Sequence, residues 1–234
     1  MPSLFPRWMN RLPTVLGLLG AGGAATVIGV VWYYFTPAYW EVGYAPVQPT
    51  SLSTVSGFNH QIHAGKLGID CRYCHTNVES SSHSNVPPVA TCYGCHAENR
   101  MRIPKDERVG FIRTAYANDD PIPWVEVHIL PDYVQFPHMS HVKAGVSCFS
   151  CHGQVTAMPV IHQVQPLSMS WCLDCHRNPV PNLVPKDKVT DLVWVEQEWM
   201  SKPVEERKYN GITPAMLREE LRREPPTHCA ACHY

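Results

Sequence analysis

The sequence predicts a mainly helical fold: one N-terminal transmembrane helix, then a domain of short helices and coil with little sheet. Three observations predict this fold class. Residues 14–35 carry no charge, all ten cysteines fall in five copies of one short motif, and 22 prolines and 14 glycines interrupt long regular elements. A chain of this length cannot build a separate core for each motif, so we expect attached groups to form much of the interior.

The uncharged segment, TVLGLLGAGGAATVIGVVWYYF, is long enough as a helix to cross about 30 Å of hydrocarbon. Arg7 and Arg11 precede it, and Glu41 is the first charge after it. The positive-inside rule therefore predicts a cytoplasmic N-terminus and an extracytoplasmic or periplasmic C-terminal domain on a single-pass protein of the cell membrane.

A cleaved signal peptide is the competing interpretation of this segment, because residues 21–25 are all small. The apolar run continues beyond them to the aromatic residues 32–35, which suit a membrane interface. This continuation favours an uncleaved anchor.

Every cysteine belongs to a C-x-x-C-H motif. The five motifs consist of Cys71, Cys74 and His75; Cys92, Cys95 and His96; Cys148, Cys151 and His152; Cys172, Cys175 and His176; and Cys229, Cys232 and His233. Two thiols at this spacing can each form a thioether with a haem vinyl group, and the following histidine is then the proximal ligand of the iron. Disulfides, zinc ribbons and thioredoxin-like pairs do not require a histidine after every pair, so the sequence predicts five covalently bound c-type haems. The predicted fold class is therefore a multihaem cytochrome c, with one N-terminal transmembrane helix and a haem-packed domain of short helices and coil.

The region after the anchor contains an internal repeat. The pattern F-x-H-x-x-H at residues 58–63, before the first motif, recurs at residues 136–141, before the third. His83 and His162 likewise precede the second and fourth motifs, and corresponding positions lie 77 to 80 residues apart. The repeat predicts two dihaem modules with a fifth haem appended.

The predicted organisation follows from the anchor and the repeat. It comprises a cytoplasmic N-terminus (1–13), a transmembrane helix (14–35), a linker (36–57), the first dihaem module (58–96), a connection (97–135), the second dihaem module (136–176), and a connection with the fifth haem (177–234). In the last connection, Thr213 and Pro214 have the pattern of a helix N-cap and first helical residue.

Eight histidines lie outside the motifs, and five irons need five distal ligands. The candidates that the repeat favours are His60, His63, His83, His138, His141 and His162. Two histidines three residues apart on a helix share one face, so each ring can reach a different iron. We therefore predict mainly bis-histidine ligation.

The remaining candidates have weaker patterns. His128 is equally consistent with a distal ligand and with a hydrogen-bonding residue of the core. His228 is constrained by its position beside Cys229. Three methionines that could bind iron are expected to pack against haem instead: Met139, Met158 and Met169.

The F-x-H-x-x-H pattern before C-x-x-C-H resembles that of the class III multihaem cytochromes and their trihaem relatives. The resemblance implies these distal ligands for the five haems in motif order: His60, His63, His138, His141 and His162. The role of His83 stays open, because its counterpart in that family serves a third haem that the first module lacks.

A narrower resemblance covers nearly the whole chain. The anchor together with HAGKLGIDCRYCH, PIPWVEVHILPDYVQFPHMSH and LSMSWCLDCHR is similar to the pentahaem subunit of alternative complex III. This resemblance implies an electron-transfer subunit, not itself an enzyme, of a membrane quinol:electron-acceptor oxidoreductase. Its implied partners are integral membrane and iron–sulfur subunits, with a smaller cytochrome c or a terminal oxidase as acceptor.

Two other functions remain open. A free-standing quinol dehydrogenase would also have one membrane anchor, and a multihaem reductase would need one iron with an open coordination position. Nucleic-acid binding is not expected, because the formal charge of −1 provides no basic surface.

Overall fold

A computed structural model describes most of the chain after residue 8. The described residues are 9, 11–35, 58–98, 100, 109–122, 124, 127–159, 161–221 and 223–234. The predicted linker 36–57, residues 1–8 and 10 of the predicted cytoplasmic segment, and part of the connection 97–135 lie outside the described residues. The chain divides into two compact units, Met1–Tyr39 and Trp40–Tyr234.

The first unit contains helix α1, Leu12–Phe35, which begins two residues before the predicted segment. Its stretch Leu12–Val31 is a candidate membrane span, with a mean hydropathy of 1.9 and no buried residue. Twenty residues at 1.5 Å each give about 30 Å, the thickness of the hydrocarbon layer. The hydroxyl of Thr26 donates to the carbonyl of Gly22 at 2.9 Å, so this polar group is satisfied within the helix.

The second unit consists of short helices joined by coil. Its α-helices are α2 (Cys71–Cys74), α3 (Val89–His96), α4 (Gly110–Asn118), α5 (His138–Ala144), α6 (Cys148–His152), α7 (Met169–Arg177), α8 (Leu192–Trp194) and α9 (Pro214–Glu219). Single turns of π or 3-10 helix lie at Gln61–Lys66, Val155–Ala157, Val180–Asn182, Lys186–Lys188, Val195–Met200, Val204–Glu206 and Cys229–Ala231.

Strand pairing within the described residues is limited to two isolated bridges, Val146 with Leu183 and Tyr209 with Ile212. The predicted domain of short helices and coil with little sheet is therefore confirmed for the described part of the chain.

Side-chain caps fix where several of these helices begin. Asp70 accepts from the backbone N–H of Arg72 at 2.8 Å and caps α2, while Ser147 caps α6 and Ser168 caps α7. Thr213 caps α9 as its sequence predicts, and Pro214 is the first helical residue. These caps satisfy N–H groups that a helix start leaves without partners, so each short helix has a defined first residue.

The polypeptide core lies in the connection that precedes the fifth motif. Its buried residues are Leu183, Val184, Val189, Val195, Trp199 and Leu217. Trp199 is 1% exposed, and its indole N–H donates to the carbonyl of Leu183 at 2.9 Å. The same side chain thus fills the core and satisfies a buried carbonyl.

The first half of the repeat contacts the second at the turn Gln61–Lys66. The backbone N–H of Gln61 donates to the carbonyl of Met158 at 3.1 Å. A Cβ atom at Gly65 would lie 2.2 Å from the carbonyl oxygen of Thr156, so this close approach requires glycine.

Replacing Trp199 with alanine should destabilise the second unit by about 3–5 kcal/mol, because it removes the largest buried side chain and its hydrogen bond. Thermal melting followed by far-ultraviolet circular dichroism should show a lower midpoint. Val193→Ala, at a neighbouring side chain that is 44% exposed, is the control and should leave the midpoint nearly unchanged. Equal midpoints for Trp199→Ala and the native chain would contradict this description of the core.

Candidate haem-binding sites

The cysteines of every motif lie on a helical turn. The turns are α2, the C-terminal part of α3, α6, α7, and the 3-10 turn at Cys229–Ala231. Residues three apart on such a turn share a face, so the two thiols of a motif can approach one macrocycle together. Two of the ten cysteines are exposed, Cys95 of the second motif and Cys229 of the fifth.

Four of the five motif histidines face a second histidine. The pairs, with ring-centre distances and interplanar angles, are His60 and His75 (6.5 Å, 1°), His63 and His96 (6.1 Å, 50°), His138 and His152 (6.5 Å, 11°), and His141 and His176 (5.9 Å, 41°). We call these the four histidine pairs. The two halves of the repeat have the same arrangement, one nearly parallel pair followed by one tilted pair.

The separation within each pair fits two axial ligands of one iron. A metal–imidazole bond is about 2 Å long, so two such bonds and the distance from each nitrogen to its ring centre amount to about 6 Å. Because one member of each pair follows a C-x-x-C, the residues present fit a haem that is attached to the cysteines and bound from both faces.

Hydrogen bonds at Nδ1 determine which ring nitrogen can bind metal. Six histidines place Nδ1 on a backbone carbonyl: His63 on Asn59 (2.8 Å), His75 on Asn85 (2.8 Å), His138 on Ser82 (2.9 Å), His141 on Pro137 (3.0 Å), His176 on Pro226 (2.6 Å) and His233 on Tyr133 (3.0 Å). A carbonyl can only accept, so Nδ1 carries the proton and Nε2 keeps its lone pair. These bonds also fix the orientation of each ring, as is usual for metal-binding histidines.

The phenylalanine of F-x-H-x-x-H holds both histidines of the pattern. Phe58 stacks on His63 with ring centres 4.3 Å apart and meets the edge of His60 at 4.8 Å. Phe136 makes the same two contacts with its histidines, at 4.4 and 4.9 Å. The sequence shows the phenylalanine as part of a repeated pattern, but only the structure gives its role of positioning two rings at once.

Partial burial keeps several of these imidazoles neutral. Burial, together with a smaller effect of neighbouring imidazoles, lowers the pKa of His60 to about 4 and the pKa of His152 to about 3. Burial also lowers the pKa of His138 and of His141. Neutral imidazole is the form that binds metal, so the environment favours ligation at pH 7.

His128 contacts a motif histidine from the side. Its Nε2 lies 3.3 Å from Nδ1 of His152, and the two rings meet nearly edge to face at 4.4 Å. His152 therefore has an imidazole at the position where six other histidines have a backbone carbonyl. Of the two roles open for His128, this geometry favours the hydrogen-bonding one.

His83 and His162 are not members of the four histidine pairs. His83 is exposed, and its backbone N–H donates to the hydroxyl of Ser81 at 3.3 Å. His162 is half-buried and lies near His128, whose pKa is lowered first by burial and then by the imidazole of His162. Their predicted distal roles remain predictions.

The fifth motif has different surroundings from the other four. His233 is exposed and stacks on Tyr133 with ring centres 5.8 Å apart. The carbonyl of Cys232 accepts from the N–H of Gln135 at 2.7 Å. Residues 133–135, which immediately precede the second F-x-H-x-x-H pattern, therefore support this motif.

The methionines considered as ligands differ in burial. Met158 is 7% exposed and packs with Ile161 against Phe58. Met169 is 68% exposed at the start of α7, and Met139 is half-buried in α5. Exposed His228 immediately precedes the turn Cys229–Ala231.

No family model matches the chain. A curated relative from Nitratidesulfovibrio vulgaris, described as the multihaem cytochrome c subunit of menaquinone reductase, is 27% identical over 138 residues. This chain is similar to a multihaem cytochrome c. The match covers 56% of this chain and 60% of the relative, so less than two thirds of the relative's length is represented. The similarity supports the broader of the two resemblances, that to multihaem cytochromes.

Replacing His141 with alanine should open one coordination position, because its ring faces His176 across the gap of a histidine pair. Electron paramagnetic resonance of the oxidised holoprotein should then show one new high-spin ferric haem. His228→Ala is the control and should add no high-spin signal, because its exposed side chain is not in a pair. An unchanged spectrum for His141→Ala would contradict the assignment of this pair.

His128→Ala should add no high-spin haem, because His128 contacts Nδ1 of His152 and not the gap between paired rings. The reduction potential of one haem should shift, since the substitution removes the hydrogen-bond acceptor of its proximal ligand. Spectroscopic redox titration measures this shift. A new high-spin haem in this variant would instead identify His128 as a ligand.

Proposed function

We propose that this chain is a membrane-anchored pentahaem cytochrome c that relays electrons in a quinol-oxidising complex similar to alternative complex III. The observation that carries the proposal is the set of four histidine pairs, each spaced for one iron and each including the histidine of a C-x-x-C-H motif. The relative's description as a subunit of menaquinone reductase supports a quinone-linked membrane complex.

Each haem, when bound, supplies an iron that accepts and releases one electron. The protein's contribution is to hold the axial imidazoles still. Backbone carbonyls fix Nδ1 of six histidines, and Phe58 and Phe136 each hold two rings. The two imidazoles of a pair would hold a bound haem from both faces, so its ligands would not need to change when the charge on the iron changes.

The proposed location follows from α1. With the positive-inside rule, Arg7 and Arg11 support a cytoplasmic N-terminus and a haem domain outside the cell membrane. The proposed partners are integral membrane and iron–sulfur subunits of the complex, with a smaller cytochrome c or a terminal oxidase as acceptor. We propose no enzymatic activity for the isolated chain, since one uncharged helix offers no group to accept the protons of a quinol.

A multihaem reductase is the alternative with a specific observation in its favour. His233 stacks on Tyr133 and is not part of the four histidine pairs, so the fifth haem is the candidate for an open coordination position. A high-spin fifth haem that binds nitrite would favour that function. A low-spin fifth haem supports the relay.

The haem count is testable by intact mass. Every cysteine pair is followed by its histidine, so the mature protein should carry five covalent haems after removal of noncovalent cofactors. Cys229→Ala combined with Cys232→Ala should lose one haem and keep four. A native protein with four haems or fewer would contradict the pentahaem proposal.

The relay proposal predicts a difference between the isolated chain and the complex. Quinol should reduce the haems rapidly in the intact assembly and only slowly in the purified chain in detergent, because helix α1 carries no charged group that could accept the protons of a quinol. Stopped-flow absorbance of the haem bands measures both rates, with dithionite reduction showing that the haems of each sample are reducible. Rapid reduction of the isolated chain by quinol would favour a free-standing quinol dehydrogenase.

A further inference from the structure

The histidine pairs show which haem sites are neighbours within each half of the repeat. His60 faces the first motif and His63 faces the second, and both rings contact Phe58. The first and second sites therefore lie next to each other across one short segment. The third and fourth sites are neighbours in the same way through α5, which carries His138 and His141.

The first site also adjoins the third. The thiol of Cys71 contacts the carbonyl of Thr190 at 4.0 Å, and the preceding carbonyl, that of Val189, accepts from the N–H of Cys148 at 3.3 Å. The hydroxyl of Ser147 donates to the same carbonyl at 2.9 Å. Two consecutive residues thus hold the first and third motifs side by side. The side chains of Cys71 and Cys148 also lie close to each other.

A second set of contacts joins these two sites on the side of the distal ligands. The carbonyl of Ser82 accepts from both the backbone N–H and Nδ1 of His138, at 3.1 and 2.9 Å. Ser82 lies between the first and second motifs, whereas His138 faces the third. The first half of the repeat therefore supplies the bond that orients a ligand of the second half.

The fourth site adjoins the fifth. Nδ1 of His176 donates to the carbonyl of Pro226 at 2.6 Å, three residues before Cys229. The side chain of Cys172 also lies near that of Cys232. The segment that leads into the fifth motif is thus held by the proximal histidine of the fourth.

The exposure of the cysteines differs between the five sites. Cys95 of the second motif and Cys229 of the fifth are exposed, whereas both cysteines of the first, third and fourth motifs are half-buried. The second and fifth sites therefore have open sides, as the two ends of a series would have.

We propose that the five haem sites form a linear series in the order second, first, third, fourth and fifth motif, with the second and fifth sites at its ends. This inference rests on the proposed function. The order differs from the order along the chain only in the first half of the repeat, where the first site, not the second, adjoins the third. The ends are the sites where redox partners of the complex can approach most closely.

The test uses magnetic coupling between neighbouring low-spin ferric haems in the holoprotein. His60→Met and His63→Met each give one haem a methionine ligand, which raises its reduction potential, so that this haem can be reduced first. Low-spin ferrous iron is diamagnetic, and it therefore removes the magnetic coupling from its neighbours only. Variant His138→Met identifies the signal of the third haem, and His228→Met is the control.

Reduction of the first haem in His60→Met should change the signals of the second and third haems. Reduction of the second haem in His63→Met should change the signal of the first haem alone. The opposite result, with His63→Met altering the third haem and His60→Met leaving it unaltered, would overturn the proposed order. A variant that loses its haem still serves the test, because loss also removes that spin from its neighbours.

Measurements on the native protein distinguish a failure of this inference from a failure of the proposed function. Five low-spin haems in the native protein with coupling in a different order would overturn the series and leave the pentahaem assignment standing. A native protein without covalent haem, measured by mass, would overturn the proposed function itself.

Discussion

The hydrogen bond from imidazole Nδ1 to a fixed acceptor is the interaction on which the candidate sites depend. It leaves Nε2 as the nitrogen that can bind metal and prevents the ring from rotating out of the gap between paired histidines. Six histidines bond to carbonyls in this way, and His152 bonds to His128 instead. Short helices and coil suit this purpose, because irregular backbone leaves carbonyls that are not used by a long helix.

The repeat explains why two parts of one chain produce equivalent geometry. The turn Gln61–Lys66, with His60 as its N-cap, and helix α5 have different hydrogen-bond patterns. The histidines of these two segments nevertheless give the same order of one nearly parallel pair and one tilted pair. In both halves, a phenylalanine ring contacts the two histidine rings of the F-x-H-x-x-H pattern. The local arrangement of three aromatic rings is therefore retained although the backbone that carries it differs.

Much of the fold and of the ligand pairing could be predicted from sequence because the signals are local. The motif spacing, the three-residue interval from His60 to His63 and the Thr213 cap each involve a few consecutive residues. The contact of His128 with His152, and that of Ser82 with His138, join residues that are distant in the chain. No periodicity in the sequence encodes such contacts. The contact of His128 with His152 and the proximity of the first and third motifs are therefore seen only in the three-dimensional structure.

The acceptors of the six Nδ1 bonds are all main-chain atoms, and this has an evolutionary consequence. Mutation of Ser82 replaces the side chain but keeps the carbonyl oxygen in place as long as the backbone path is unchanged. Such a position can therefore diverge by genetic drift without loss of ring orientation, whereas Asn85 has a positive φ of 59° that most residues rarely adopt. Selection would act on histidines, cysteines and backbone shape, which allows descendants of such a chain to differ widely in sequence around the same ligand geometry.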